Sequence, residues 1–188
     1  NPVRVEVTPE VVTVDKIEQI VRHVPNNSKA ALLTELLADD AMSRVIVFIR
    51  TKHRANRVSD QLQKASISAD AIHRNKSQAP GQNALKKFRD GRARVLVATD
   101  LAARGIDGDS VSHVVNYELP NAPESYVHRI GRTGRAGSEG EAVSLVSADE
   151  VTLLAAIETL ICQTLVREVE SGFLPQHRVP PTHQAKPR

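Results

Sequence analysis

Two short segments carry the residue types from which phosphate chemistry can be assembled. The first is Thr99-Asp100-Leu101-Ala102-Ala103-Arg104-Gly105-Ile106-Asp107, which brings a hydroxyl, two carboxylates and a guanidinium together around one glycine. Gly105 would let the backbone approach a ligand closely or take a positive φ. The same composition also suits an ordinary strand-to-helix turn held by an Arg–Asp pair. The second segment runs from His128 to Gly137, with Arg at 129, 132 and 135 and Gly at 131, 134 and 137. Glycines at that density end a helix and leave a loop that can pack closely against another surface. Three guanidiniums on one loop repel one another unless an anion or several carboxylates neutralise them. Phosphate matches the bidentate fork of Arg well. A solvated basic loop is the alternative reading.

Composition narrows the classes. The chain has 188 residues, of which 40% are hydrophobic and 25% charged, a globular balance long enough for a core without staples. Cys162 is the single cysteine, so no disulfide framework or thiolate cluster is expected. The seven histidines are scattered without ligand spacing, which argues against structural zinc. Aromatics make up 3%, so the core must be aliphatic and a base-stacking surface is not expected. No run approaches the roughly 20 apolar residues of a membrane helix. The opening Asn1-Pro2-Val3-Arg4 is neither an initiator methionine nor a signal peptide, and suggests a piece of something larger. The net charge of +3 conceals an uneven distribution. Residues 41–100 carry thirteen basic and four acidic side chains, against a net −3 in each flanking part. A middle segment this basic points to a polyanion or to a solvated helical face.

The two loops need strands and helices to place them. Arg44–Ile49 and Arg94–Thr99 are β-branched, nearly continuous apolar runs, as in strands buried on both faces. Weaker strands are expected at Ile17–Val24, Ser68–His73, Ser112–Asn116 and Glu141–Val146. Helical patterns cover Lys29–Leu37, Lys52–Ala65, Gln82–Asp90, Pro123–Ile130 and Asp149–Ile161. Ser28, Thr51 and Asp149 stand where helices would start, and Gly91 where one would end. This alternation predicts an α/β fold, a mostly parallel central sheet with helices on both faces and ligands at the carboxyl ends of its strands. Cys162 is expected to be buried on the last helix. Residues 166–188, with four prolines and several basic residues, read as a flexible tail.

Three segments in this order resemble a known family. Val45-Ile-Val-Phe-Ile-Arg-Thr51-Lys52, Ala98–Asp107 and His128–Arg135 resemble motifs IV, V and VI of the DEAD-box RNA helicases. The joining stretches Ile72–Gln78 and Val114–Pro120 are most similar to the bacterial RhlE-type branch. The resemblance covers roughly residues 17–165. The Gly-x-x-x-x-Gly-Lys-Ser/Thr phosphate loop and the Asp-Glu-Ala-Asp quartet are absent from the sequence. The resemblance is therefore to the second, C-terminal RecA-like domain alone, a three-layer sandwich. It implies residues 1–16 as interdomain linker or end of the first domain, 17–165 as the RecA-like domain and 166–188 as the tail.

By this resemblance the intact protein would be an ATP-dependent RNA helicase, a cytoplasmic hydrolase that opens short duplexes or remodels RNA–protein complexes. The fragment alone would lack ATPase activity. ATP with Mg2+ would be held mainly by the absent N-terminal domain, itself a partner of this one. Arg132 and Arg135 would be arginine fingers, His128 would couple the ATP site to the domain interface, and Arg129 would brace the loop. Asp107 would accept a hydrogen bond from the ribose, while Asp100 and Arg104 would link nucleotide to RNA. RNA, single-stranded or in a short duplex and bound without sequence preference, would touch Thr51, Lys52, Arg74, Thr99, Arg104 and Gly105. Ribosome precursors or RNA-decay machinery would be further partners; no membrane is implied.

Three positions depart from the family pattern: His73 is followed by Arg74 rather than Gly, Gly81 stands where an RNA-binding Arg is usual, and Arg54 replaces the branch's Gly. Arg74 or Arg54 is expected to replace that missing phosphate contact in part. A non-catalytic RNA-binding or annealing module is the rival reading, and a DNA-directed translocase a second.

Overall fold

The computed structural model describes residues 16–73, 78–106, 111–134 and 139–168. Seven strands alternate with five helices: β1 (Ile17–His23), α1 (Lys29–Leu36), β2 (Val45–Phe48), α2 (Lys52–Lys64), β3 (Ala69–Ile72), α3 (Gln78–Arg89), β4 (Val95–Ala98), β5 (His113–Asn116), α4 (Pro123–Ile130), β6 (Gly140–Val146), α5 (Val151–Ile161) and β7 (Val166–Glu168). The strands form one sheet in the order β3-β4-β2-β5-β6-β1-β7, and every pairing is parallel.

Period-two alternation along the central strands divides the core into two layers. Ile46, Phe48, Leu96, Ala98 and Val114 face Phe88 of α3, Tyr126 and Ile130 of α4, and Leu154 and Ile157 of α5. Val45, Val47, Val95, Val97 and Val115 face Leu32 and Leu33 of α1 and Ala55, Val58 and Leu62 of α2. Strands buried on both faces have no polar side to show, which is why β2 and β4 read as unbroken apolar runs.

The chain runs outward from β2 to β3, returns to β4 beside β2, and then crosses to β5 on the other flank of β2. The carboxyl ends of β4, β2 and β5 therefore flank a point where the winding reverses. Such a point opens a crevice in parallel sheets.

Several local expectations need correction. The tail drawn from residue 166 begins inside β7, which pairs with β1 over Ile20↔Val166 to Arg22↔Glu168. Helix α3 begins at Gln78, four residues before the expected start, because Pro80 within the first turn costs no intrahelical bond. Ser28 makes no capping bond. The turn leading into α5 is capped instead by Ser147 and Glu150, in a reciprocal capping box. Thr51 does cap α2, its hydroxyl accepting from the Arg54 amide, and Gly91 follows α3 at φ 77°. Cys162 is exposed rather than buried, at φ 54° just past α5.

Candidate functional site

A cleft of about 270 Å³ opens at the winding reversal, lined by Phe48, Asp100, Ala103, Arg104, Ser125, His128, Arg129 and Arg132. Phe48 ends β2, while Asp100, Ala103 and Arg104 lie just past β4, the latter two in a 3-10 turn over Ala102–Gly105. The rest come from α4 and the turn after it. Pro123 opens α4 in its first turn, and His128 and Arg129 occupy its last turn, where cations complement the helix dipole.

Arg129 forms the floor. Its side chain is 1% exposed, yet every guanidinium nitrogen is used. Nε and Nη2 donate to the two carboxylate oxygens of Asp100 at 2.6 and 2.7 Å. Nη1 donates to the Glu118 carbonyl at 2.6 Å and to Asn116 Oδ1 at 3.3 Å. The Asn116 amide is itself oriented by donating to Ser144 Oγ at 3.0 Å. The guanidinium also lies 5.2 Å from the centre of the Phe48 ring. Asp100 remains 42% exposed, so the pair sits half in water and half in the core.

The turn after α4 is held against the sheet by close backbone packing. Thr133 is fully buried and its hydroxyl donates towards the carbonyls of Val111 and Ser112, at 2.7 and 3.1 Å. Gly134 sits at φ 68° against Gly140, the first residue of β6. A Cβ on Gly140 would fall 2.5 Å from the Gly134 nitrogen. This approach fixes the position of Arg132, whose Nη1 donates to the Ile106 carbonyl at 3.0 Å. Arg132, Arg104 and His128 thus surround the cleft with cationic or ionisable donors, the lining an anion requires.

Beside the cleft, charged side chains hold the main chain leaving β5. The buried Lys29 ammonium donates to the Tyr117 carbonyl at 2.8 Å and pairs with Glu150. Glu150, also buried, accepts the Leu119 N–H at 2.7 Å. Burial pushes the Lys29 pKa below its ordinary value, a shift the Glu150 carboxylate opposes. The Glu118 carboxylate turns towards α2. Oε1 accepts the Arg50 N–H at 3.1 Å, and Oε2 lies 2.5 Å from Arg54 Nη1 and 3.3 Å from Arg50 Nη2.

Of the residues expected from sequence, Asp100, Arg104, His128, Arg129 and Arg132 gather at the cleft. Thr99, half-buried, directly follows β4 beside it, and Gly105 closes the 3-10 turn. Thr51 and Lys52 stand apart at the start of α2 and do not line the cleft. Arg74, Asp107 and Arg135 lie outside the described residues. Arg54, expected to compensate for the missing Arg at 81, is engaged with Glu118. Sequence reasoning missed Lys29, Asn116, Glu118, Ser125 and Glu150. The signal for three of them was a charge at the border of an apolar run, as in Lys29-Ala-Ala-Leu-Leu and Glu150-Val-Thr-Leu-Leu.

With this geometry in place, the similarity to known proteins is specific. A family profile described as "Helicase conserved C-terminal domain" matches residues 28–137. The DEAD-box ATP-dependent RNA helicase CshA of Bacillus licheniformis is 43% identical over 170 residues, which cover 90% of this chain and 34% of that protein. The chain thus spans about a third of the length of such relatives. Among solved structures, the E. coli DEAD-box protein SrmB, bound to regulator of ribonuclease activity A, superposes with a TM-score of 0.81 at 38% identity, covering 87% of this chain and 96% of that one. S. cerevisiae Dbp5 bound to RNA and ADP BeF3 superposes with a TM-score of 0.77 at 34% identity, covering 84% of this chain and 42% of that one.

Proposed function

The chain belongs to the C-terminal helicase domains of the DEAD-box RNA helicases, and from that premise we propose that it serves as the second half of an ATP-dependent RNA helicase of the RhlE-type branch. In this reading a first RecA-like domain holds ATP and Mg2+ opposite the cleft, and the two halves close on nucleotide and RNA together. The observation that carries it is the cleft itself: Arg132, Arg104 and His128 stand above the half-buried Arg129–Asp100 pair at the carboxyl ends of β2 and β4.

This chain's residues supply electrostatics rather than bond-making groups. Arg132, with Arg135, offsets the charge that develops on the transferred phosphoryl group, an effect worth a factor of about a thousand or more in rate. His128, exposed on the last turn of α4, meets the closing domain, and Asp107 receives the ribose. Leu101, 44% exposed next to Asp100, gives the closing face an apolar contact. Thr51, Lys52, Arg74, Thr99, Arg104 and Gly105 bind RNA through phosphate and sugar, with no base readout. The basic segment 41–100 draws RNA to that surface. Closure bends one strand and opens a short duplex, in the cytoplasm, on structured RNA such as ribosome precursors or messages under decay.

The test is ATP hydrolysis by the intact protein, with and without single-stranded RNA, beside Arg132→Ala. RNA-stimulated turnover that falls at least a hundredfold in the variant is expected. Turnover absent in both proteins would refute the helicase reading and leave a non-catalytic RNA-binding module.

A further inference from the structure

Glu118 joins the two surfaces that the cleft geometry leaves apart. Its side chain is 3% exposed, and its main chain and side chain face in different directions. The main-chain carbonyl accepts from Arg129 at 2.6 Å, beneath the cleft. The carboxylate instead meets the segment entering α2. Oε1 takes the N–H of Arg50, directly before the helix-capping Thr51, and Oε2 takes the Arg54 guanidinium one turn into the helix.

A carboxylate this buried is costly, and its cationic partners repay that cost only in part because they remain 30% and 57% exposed. An apolar side chain of the same volume would pack the site at least as well. What an apolar side chain cannot do is receive the Arg50 amide and thereby fix where α2 starts. We propose that Glu118 is a positioning residue: it sets Thr51 and Lys52 in register with the Arg129–Asp100 pair, so that RNA contact at α2 and the nucleotide-facing cleft act as one rigid surface. The proposal rests on the functional reading above, in which Thr51 and Lys52 touch RNA.

A plain electrostatic role predicts the opposite sign. If Glu118 were only a counter-charge to Arg50 and Arg54, removing it would leave a more positive surface and tighten RNA binding. Two substitutions separate the roles. Glu118→Met keeps the volume and loses both acceptor and charge. Glu118→Gln loses the charge but keeps an oxygen for the Arg50 N–H.

The experiment titrates RNA-stimulated ATP hydrolysis of the intact helicase, first with a single-stranded oligouridylate at saturating ATP and then with ATP at saturating RNA. Glu118→Met is expected to raise half-saturating RNA about tenfold while half-saturating ATP moves less than about threefold. Glu118→Gln is expected to stay within about threefold of wild type for both. Tightened RNA binding in either variant overturns the proposal. So does an equal loss in RNA affinity, ATP affinity and turnover, which marks a merely structural role. Should Glu118→Met fail to fold, Glu118→Gln decides by sign: unchanged affinity supports positioning and tightened affinity refutes it. A wild-type enzyme without RNA stimulation overturns the functional reading and the proposal together. A stimulated wild type with two unchanged variants overturns the proposal alone.

Discussion

Replacing Arg129 tests the construction of the cleft floor without reference to any substrate. Arg129→Met retains most of the side-chain volume, so the Phe48 contact keeps its packing and the loss falls on polar groups. The Glu118 carbonyl loses its donor in a buried setting, a cost of about 1–3 kcal/mol. Asn116 Oδ1 loses a long 3.3 Å bond and adds little. Asp100 loses a bidentate partner but is 42% exposed, so water recovers most of that pair and about 1 kcal/mol remains. Relief of the buried guanidinium's own desolvation offsets part of the total, leaving a net destabilisation of about 1–3 kcal/mol. That is a large fraction of the 5–15 kcal/mol or so typical of a domain, yet small enough to leave the fold populated. Urea unfolding of the chain reads it directly: with a slope of about 2 kcal/mol per molar, the midpoint should fall by about 0.5–1.5 M. Arg129→Lys should recover less than half, because one ammonium cannot span both Asp100 oxygens and the Glu118 carbonyl. A midpoint shift below about 0.3 M for Arg129→Met would refute the floor reading.

Gly140→Ala places a Cβ 2.5 Å from the Gly134 nitrogen and 2.8 Å from both Gly134 Cα and Thr133 Cγ2, two of the three being backbone atoms. It should destabilise by about 1–3 kcal/mol, checked by the same urea titration. Gly81→Ala in the first turns of α3 meets nothing within 4 Å and should instead stabilise by up to about 1 kcal/mol. Chiefly by burial, and further by the nearby Arg167 charge, the His23 imidazole is held below its ordinary pKa of 6.5. The folded chain resists protonating it, so its stabilising contribution is complete above that value and is lost as pH falls below it. The thermal midpoint should therefore fall more steeply between pH 7 and 5 for the wild type than for His23→Gln. Parallel profiles would refute that assignment.

The layers of the fold were legible because burial on both faces leaves an unambiguous trace. β2 and β4 are apolar at every position, and α2, α3 and α4 keep a 3.6-residue period. β7 left no such trace. Val166-Arg167-Glu168 has one exposed apolar residue between the buried Leu165 and a charged pair, and only its three-residue pairing with β1 makes it a strand. The start of α3 was hidden by Pro80-Gly81, which locally reads as a turn although a first helical turn tolerates both. At the site, Asp100 and Arg129 were each legible in segments of unusual composition, but nothing in the sequence paired one with the other. Lys29, Glu118 and Glu150 were not, because charged residues next to apolar runs normally mark the edge of an element exposed to water. Here the chain folds those edges inward.

The inward folding has a structural cause in the parallel sheet. A strand that ends beneath helices leaves main-chain groups without a ladder partner, and each such group must be satisfied where water is scarce. At the end of β5 these groups belong to Tyr117, Glu118 and Leu119. They are met by Lys29 from α1, Arg129 from α4 and Glu150 from the turn before α5. Short neutral side chains from those helices would not reach, whereas long charged ones do, and pairing Lys29 with Glu150 and Arg129 with Asp100 limits the cost of burying them. Helices on both faces of the sheet are thereby tied to one strand end, and Glu118 carries the same connection to α2. Displacing Arg129 relative to β5 would break at least one buried charge-assisted bond, so internal rearrangement of the cleft floor is expensive. Movement of this face as a body is the cheaper response to a ligand, which suits a domain whose proposed work is to close against another.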